Sequence, residues 1–597
     1  MAEVEEEVAE RVDQDEEQRR DPLYVLRHSA AHLLAAAVTQ LFGGVKYAIG
    51  PPVENGFYYD FEFPGPISEK DLPRIEKKMA ELVRRRVPFE RRELPRAEVV
   101  RRFTELDQPY KLEILDQEAA GEEILSCYTT GDFFDLCRGP HVPDAGALRA
   151  VKLLRLAGAY WRGDEHRQQL TRIYGTAWPT REELDAYLAA LASAAQRDHK
   201  KLGRELKLFA LDERAGQGNV LWLPNGATVR RELERWIVDE QLARGYQHVI
   251  TPVTANLDVY RQSGHAKLYA DVMYPPMVTE EGQELELRPM TCQHHIMVYQ
   301  HEPRSYRDLP VRIGEVANLY RWEKSGELMG MIRVRSFALS DAHLFCAPEQ
   351  IHQEVLDALH LNQDLLRTLG VTDYSFRLSV RDREHAKWVG TDEQWAHAES
   401  ALISALEAAG ASYTVGRGEA AFYGPKIDFQ VRDAARREFT NNTIQVDFQN
   451  PERFELVYTA ADGEGHRPVM LHCGQGSMER LVAYLIEHYA GAFPTWLAPV
   501  QVAVLPITDE QLGYAREVAE RLRGARVRVQ LDESSDRVGK KILSAQGQKV
   551  PYMLVLGQRE AEAGEVNLRR RSGEQSSVTL DAFLPELLAE IAERRLS

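Results

Sequence analysis

Leu319-Tyr-Arg-Trp-Glu323 and Ile332-Arg-Val-Arg-Ser-Phe337 read as two strands joined by a loop that begins at the polar turn Lys324-Ser-Gly326. Arg321 lies on the first strand, and Arg333, Arg335 and Phe337 on the second. Downstream, Gly474-Gln-Gly476-Ser-Met-Glu479-Arg480-Leu481 is a tight glycine turn that runs into a helix. A guanidinium is permanently charged and grips phosphate oxygens in pairs, while glycine lets backbone approach a ligand closely. The chain therefore has to place arginines from a sheet and from a glycine-turned helix. It contains no G-x-x-x-x-G-K-[ST], which excludes a P-loop nucleotide site. Each arginine alone is weak evidence, because arginines on sheets are usually solvated.

Cys292, His343 and His472 are three candidate metal ligands in the same region. One thiolate and two imidazoles with a fourth position open is the ligand count of a catalytic or substrate-binding zinc, but spacings this long prove nothing by themselves. A second group stands near the N-terminus. His28-Ser-Ala-Ala-His32 stacks two imidazoles one helical turn apart. Asp135-Leu-Cys137-Arg-Gly-Pro-His141 adds a thiol and a third imidazole on a polar turn, and Lys111 offers a cationic partner. Either motif alone is commonly surface or core decoration. Together they point to a hydrolytic or metal site, and ligand chemistry alone suggests zinc.

A length of 597 residues gives room for about three to five domains. With 44% hydrophobic and 28% charged residues, the chain is not largely disordered. No apolar run nears the ~18 residues of a membrane span. Residues 1–20 hold nine acids against three arginines and lack the basic and apolar regions of a signal peptide, so a disordered acidic tail is expected there. Five cysteines, an odd number without a C-x-x-C pair, suit a reducing cytoplasm. A net charge of −18 argues against a broad, charge-driven grip on nucleic acid and leaves a local basic patch open.

Organisation follows from the turn signals. Residues 21–180 mix a helix with short strands. Residues 181–215 read as a charged connecting helix. A long α+β region covers 216–498, and 499–597 alternates strand and helix as an α/β domain with a parallel-leaning sheet.

Collinear segments through nearly everything after residue 20 resemble the bacterial threonyl-tRNA synthetases, which are class II aminoacyl-tRNA synthetases. They are His28-x-x-x-His32, Phe134-Asp-Leu-Cys-Arg-Gly-Pro-His141, Ser305-Tyr-Arg-Asp-Leu-Pro310, Arg321-x-Glu323, Ala421-Phe-Tyr-Gly-Pro-Lys426, Gly476-Ser-Met-Glu-Arg480, Phe493-Pro-Thr-Trp-Leu-Ala-Pro499 and Val550-Pro-Tyr-Met. Pro252 falls where the first class II motif has its proline. The resemblance implies an α+β multidomain chain: an N-terminal editing domain, a class II antiparallel catalytic sheet and a C-terminal anticodon-binding domain. It implies activation of L-threonine by ATP with Mg²⁺, transfer to tRNA(Thr), and one Zn²⁺ per subunit on Cys292, His343 and His472.

By the same resemblance Arg321, Glu323, Arg333 and Arg480 serve catalysis, with Arg321 at the α-phosphate and Arg480 at the γ-phosphate. Phe337 stacks on adenine, Asp341 takes the substrate hydroxyl, and Tyr423, Lys426 and Gln445 line the ATP and substrate site. His28, His32, Lys111, Asp135, Cys137 and His141 fall on editing positions that hydrolyse seryl-tRNA through positioned water, without metal. Glu560 and Arg569 fall on anticodon-reading positions. Relatives are cytoplasmic homodimers.

The chain also departs from its relatives. No room is left for their N-terminal ubiquitin-like module. Thr291 and Gln293 flank Cys292 where Asn and Pro are usual, Leu339 and Thr440 replace glutamines, and the turn from His472 to Gly476 is one residue short. These changes suit either the ligase or a specialised, inhibitor-tolerant duplicate. A non-catalytic RNA-binding regulator would be expected to have lost Arg321, Arg480 or a zinc ligand, all of which remain.

Overall fold

The computed structural model describes residues 21–53, 55–117, 119–164, 166–382, 388–433 and 438–596, so the expected acidic tail lies outside the described residues. The chain divides into two compact units, Met1–Ala192 and Ser193–Ser597.

The first unit is built on the helix Pro22–Leu41. Asp21 caps it, its carboxylate accepting from the Leu23 amide at 3.0 Å, and Pro22 takes the first turn, where no amide is needed. From Ser29 to Val38 every residue is buried, as a helix apolar on all sides requires. A five-stranded antiparallel sheet surrounds it, in the order Lys46–Tyr47, Gly56–Glu62, Gln169–Trp178, Ala150–Tyr160, with Pro52–Val53 also paired to Gly56–Glu62. Phe57, Tyr59 and Phe61 fill the core between. Gly175 is required there, since a Cβ would stand 2.4 Å from the Phe57 ring. A smaller antiparallel sheet, Phe89–Pro95, Ile124–Thr130 and Phe133–Leu136, carries Asp135.

The connecting region is two helices, Arg181–Arg197 and His199–Glu205, rather than one. Asp198 interrupts it: its carboxylate accepts from the amides of Lys200 and Lys201 and starts a new helix. A short strand, Phe209–Leu211, follows and pairs with Val220–Trp222.

The large sheet of the second unit has nine strands. Its main order is Gln247–His248, Val311–Tyr320, Ser336–Cys346, Val469–Gly474, Glu438–Asp447, Lys426–Arg432, Tyr374–Val380, Tyr413–Arg417, and Gly476–Ser477 pairs with Ser336–Cys346. The six inner strands pair antiparallel, as expected, and the two outermost pairings are parallel. At one edge the helix Asp392–Ala408 carries the chain from Tyr374–Val380 to Tyr413–Arg417, and a helical crossover returns a strand in the same direction. Alternation along Ser336–Cys346 gives Phe337, Leu339, Asp341 and His343 one face. Register sets His343 opposite His472, and Gln445 opposite His472 on its other side.

The C-terminal sheet runs Val529–Leu531, Val502–Pro506, Tyr552–Leu556, Glu565–Arg570, Gln575–Thr579. Its first three strands are parallel and the last two antiparallel. No helix among the described residues is long and apolar enough to cross a membrane.

Candidate functional site

Cys292 opens the helix Cys292–Gln300, while His343 and His472 come from adjacent antiparallel strands. Their ligating atoms all lie within 4.8 Å of one another, and all three residues are buried. The Cys292 sulfur is 3.5 Å from His472 Nδ1, which is 3.0 Å from His343 Nε2. Burial, and then the neighbouring His472 and His295, hold the His343 imidazole well below its ordinary pKa, in the neutral form that binds metals. Burial pushes the Cys292 thiol up, with His472 opposing. Behind the ligands, His472 Nε2 meets Asp447 at 2.9 Å, and His343 Nδ1 meets His295 Nδ1 at 2.8 Å. Three convergent soft donors with hydrogen-bonded backs fit a zinc ion.

Cys292 and His472 face a cavity of about 490 Å³ that also receives Arg321, Glu323, Arg333, Phe337, Leu339, Asp341, Tyr423, Lys426, Thr440, Gln445 and Arg480. The Arg321 guanidinium lies over the Phe337 ring, 5.3 Å from its centroid, and Arg321 Nε donates to the Pro289 carbonyl at 3.1 Å. Arg480 donates to the carbonyls of Thr440 at 2.9 Å and Ile332 at 3.2 Å. Burial, then Arg321 and Arg333, pull its pKa below the ordinary arginine value, so this pocket favours an anion. Arg333 is held by Glu323 at 2.8 Å and by Glu327 at 2.8 Å.

Arg321 and Arg333 sit past the strand ends, not within them as the sequence suggests. Outside partners explain the opening: the Trp322 amide donates to Val272 and the Arg335 amide to Gly218, both at 2.8 Å. Arg335 turns onto the Trp322 ring at 4.0 Å and does not line the cavity.

At the metal end Asp341 accepts a short hydrogen bond from the Thr291 hydroxyl. Tyr423 stacks on His472 with centroids 5.0 Å apart and donates to Gln445 at 2.6 Å. Lys426 reaches the cavity wall, but its amine is paired with Asp428 at 2.5 Å. Sequence reasoning missed Gln475, which is buried in the shortened turn. Its Oε1 accepts from Gln241 at 2.6 Å and from Ser340 at 2.9 Å, and its own amide donates to the Ser340 carbonyl at 2.9 Å. The only signal for it was the missing residue.

The N-terminal group also assembles. His28, His32, Cys137 and His141 bring their ligating atoms within 4.8 Å of one another. The Cys137 sulfur lies 3.4 Å from His28 Nε2 and 3.3 Å from His141 Nε2, and accepts from the Gly139 amide at 3.2 Å. The Ser29 hydroxyl gives its proton to the Val25 carbonyl at 2.7 Å, so at 3.1 Å it accepts from His141 Nδ1. This leaves His141 Nε2 as an acceptor facing the thiol. Burial, then neighbouring histidines, hold both His32 and His141 well below the ordinary imidazole pKa.

Asp135 lies behind, contacting Lys111 at 2.5 Å, Tyr59 at 2.6 Å and His32 at 3.6 Å. Burial raises its pKa, and the Lys111 charge opposes that rise. Cys137 and Lys111 border a cleft of about 610 Å³ that also exposes Arg91 and Arg138.

In the C-terminal domain Glu560 accepts from the Gly557 amide at 3.0 Å. Arg569 is half-buried on the strand Glu565–Arg570, where its Nε makes no hydrogen bond.

A nine-stranded, mainly antiparallel sheet with an arginine-lined cavity is the architecture of a class II aminoacyl-tRNA synthetase, and residues 276–489 match the family model "tRNA synthetase class II core domain (G, H, P, S and T)". Residues 501–590 match "Anticodon binding domain", and residues 125–174 match "Threonyl and Alanyl tRNA synthetase second additional domain". The chain is 49% identical to the threonine–tRNA ligase of Anoxybacillus flavithermus over 576 residues, 96% of this chain and 89% of that one. With the threonine–tRNA ligase of Rubrobacter xylanophilus the identity is 51% over 579 residues, 96% of this chain and 90% of that one.

Among solved structures, the RNA binding domain of threonyl-tRNA synthetase from Cryptosporidium parvum aligns with a TM-score of 0.63 at 39% identity, covering 66% of this chain and 98% of that one. The chain belongs to the threonine–tRNA ligase family.

Proposed function

We propose that this protein activates L-threonine with ATP, transfers it to tRNA(Thr), and hydrolyses seryl-tRNA(Thr) formed in error. The observation that carries the reading is one cavity lined both by Arg321, Phe337 and Arg480 and by Cys292, Asp341 and His472. It suits a nucleotide laid end to end with a small hydroxy amino acid. The threonine carboxylate attacks the α-phosphorus, forming the acyl–phosphate bond as pyrophosphate leaves. Arg321 counters the charge that develops on the α-phosphate, and Arg480 holds the leaving pyrophosphate. A ribose hydroxyl of the tRNA terminus then attacks the acyl carbonyl and AMP leaves. Cys292, His343 and His472 would hold zinc, which when bound supplies a Lewis-acidic position for the amino and hydroxyl groups of threonine. ATP is taken to enter with Mg²⁺.

Asp341 accepts the substrate hydroxyl proton. Valine cannot supply that bond and is rejected, whereas serine lacks only a methyl, worth about 1–3 kcal/mol. A second, hydrolytic site is therefore needed. We assign it to residues 21–180, where neutral His32 and His141 can take a proton from water and Lys111 holds the Asp135 carboxylate behind His32. Residues 181–215 act as the connection, residues 216–498 carry activation, and residues 499–597 carry anticodon reading through Glu560 and Arg569. The enzyme works in the cytoplasm as a homodimer. Leu339 and Thr440 on the cavity wall favour a second reading, an inhibitor-tolerant form of the same ligase.

Amino-acid-dependent ATP–pyrophosphate exchange on zinc-loaded protein tests the main reading. Exchange with threonine, less with serine and only a residual level with valine is expected. No exchange with any of the three would overturn it.

A further inference from the structure

We propose that His295 and Glu315 are positioning residues for the metal site, fixing His343 in the tautomer whose Nε2 lone pair points at the metal. The proposal rests on the reading that Cys292, His343 and His472 hold zinc.

Glu315 is buried and accepts from Arg288 at 3.1 Å, from the Thr251 amide at 3.1 Å and from the Thr251 hydroxyl at 2.7 Å. With that many donors, one of them a guanidinium, it is a carboxylate. His295 Nε2 stands 3.3 Å from its Oε2. A bare nitrogen lone pair facing a carboxylate is repulsive, so His295 carries its proton on Nε2 and offers Nδ1 as an acceptor. His343 Nδ1 is 2.8 Å from that acceptor and must therefore be the donor. The His343 proton is thus on Nδ1, and Nε2 is bare.

Asp447 does the same to His472 in one step. His472 Nε2 donates to it at 2.9 Å, so Nδ1 is the nitrogen turned toward His343 and Cys292. The outcome is that His343 Nε2 and His472 Nδ1 face each other at 3.0 Å, with the Cys292 sulfur 3.5 Å from His472 Nδ1. Either a metal ion or a proton on His472 Nδ1 fills that space, and metal binding displaces the proton. One ligand is oriented directly by a carboxylate and the other through an intervening imidazole. Sequence spacing conceals the relay, because Glu315, His295 and His343 come from a strand, a helix and the next strand.

Two substitutions separate the roles of the two His295 nitrogens. His295→Asn places an amide oxygen near the position of Nδ1 and keeps the acceptor for His343. His295→Gln places its amide near Nε2, keeping Glu315 partnered while removing that acceptor. Zinc affinity of the purified full chain, read by competition with a chromophoric chelator, should be close to wild type in His295→Asn and roughly 10- to 100-fold weaker in His295→Gln. The absorption band of bound cobalt should shift only in the Gln variant, and the melting temperatures of the metal-free proteins should agree.

Equal zinc affinity in His295→Gln and wild type would overturn the relay. So would equal weakening in both variants. Failure of the wild-type chain to bind about one zinc, or binding unchanged by Cys292→Ala, would instead remove the metal reading and the relay with it.

Discussion

In the proposed function Asp341 is the residue on which discrimination by the side-chain hydroxyl turns, and Asp341→Ala isolates it. Its Oδ2 already accepts from Thr291 and its Oδ1 from the Ala342 amide at 3.1 Å, so a carboxylate with lone pairs remaining faces the cavity. A hydrogen bond to a charged group contributes about 1.5–3 kcal/mol, which is about 10- to 150-fold in kcat/KM. Removing the carboxylate should lower kcat/KM for threonine by that factor, measured by pyrophosphate exchange over a range of amino-acid concentrations. Serine carries the same hydroxyl and should fall by the same factor, leaving the threonine-to-serine ratio unchanged. Valine has no hydroxyl to lose, so its residual exchange should stay where it was, and the threonine-to-valine ratio should shrink about 10- to 150-fold. A parallel fall for valine would mean the substitution damaged the site as a whole. An unchanged threonine-to-valine ratio would refute the hydroxyl assignment.

Arg321→Ala should lower adenylate formation roughly 10²–10³-fold, the cost of removing one preorganised group at a developing charge, and near-normal exchange would break the phosphate assignment. Cys137→Ala should leave threonine activation intact while deacylation of seryl-tRNA(Thr) slows and mischarged product accumulates; unchanged deacylation removes the thiol from editing. Glu286 is fully buried with neither carboxylate oxygen hydrogen-bonded by another side chain, and burial raises its pKa from 4.5 to about 7 against an opposing backbone hydrogen bond from Tyr274. A raised carboxyl contributes stability that is full below about 4.5 and lost as pH rises through about 7. Glu286→Gln should therefore match wild type in urea unfolding at pH 4.5 and exceed it at pH 8, and parallel pH profiles would contradict this.

Chemistry written within one helical turn or one strand was legible. His28 and His32 at i and i+4 lie side by side on the buried helix, and alternation along Ser336–Cys346 puts Asp341 and His343 on one face. The family motifs carried the rest of the ligand set, including Cys292 on a helix far from His472 in sequence. What stayed hidden depends on register and burial. Nothing near Glu315 announces that it backs a histidine ligand, and Lys111 reads as a solvated lysine until Tyr59, His32 and Asp135 close around it. Arg335 misled in the opposite direction. It shares a run with Arg333, yet packing on Trp322 takes it away from the cavity.

The shortened turn shows why a departure from family pattern need not be a loss. Removing a residue between His472 and Gly476 would pull the helix that bears Arg480 out of place unless the shorter path were pinned. Gln475 pins it. The Gln475 amide holds the backbone of Ser340, and its side chain bridges Ser340 and Gln241. The turn then delivers Gly476 opposite Ser340 in the sheet, and the following helix begins on time, with Ser477 capping the Arg480 amide. Cys473-Gly-Gln475 is thus a hydrogen-bonded turn that leads directly into the helix bearing the Arg480 guanidinium. On the cavity wall itself, the Thr440 hydroxyl is held within the sheet by the Gln430 side chain at 3.0 Å, while Leu339 presents an apolar side chain. Any difference in ligand recognition is therefore to be sought at Leu339, whose side chain makes no polar contact with the sheet.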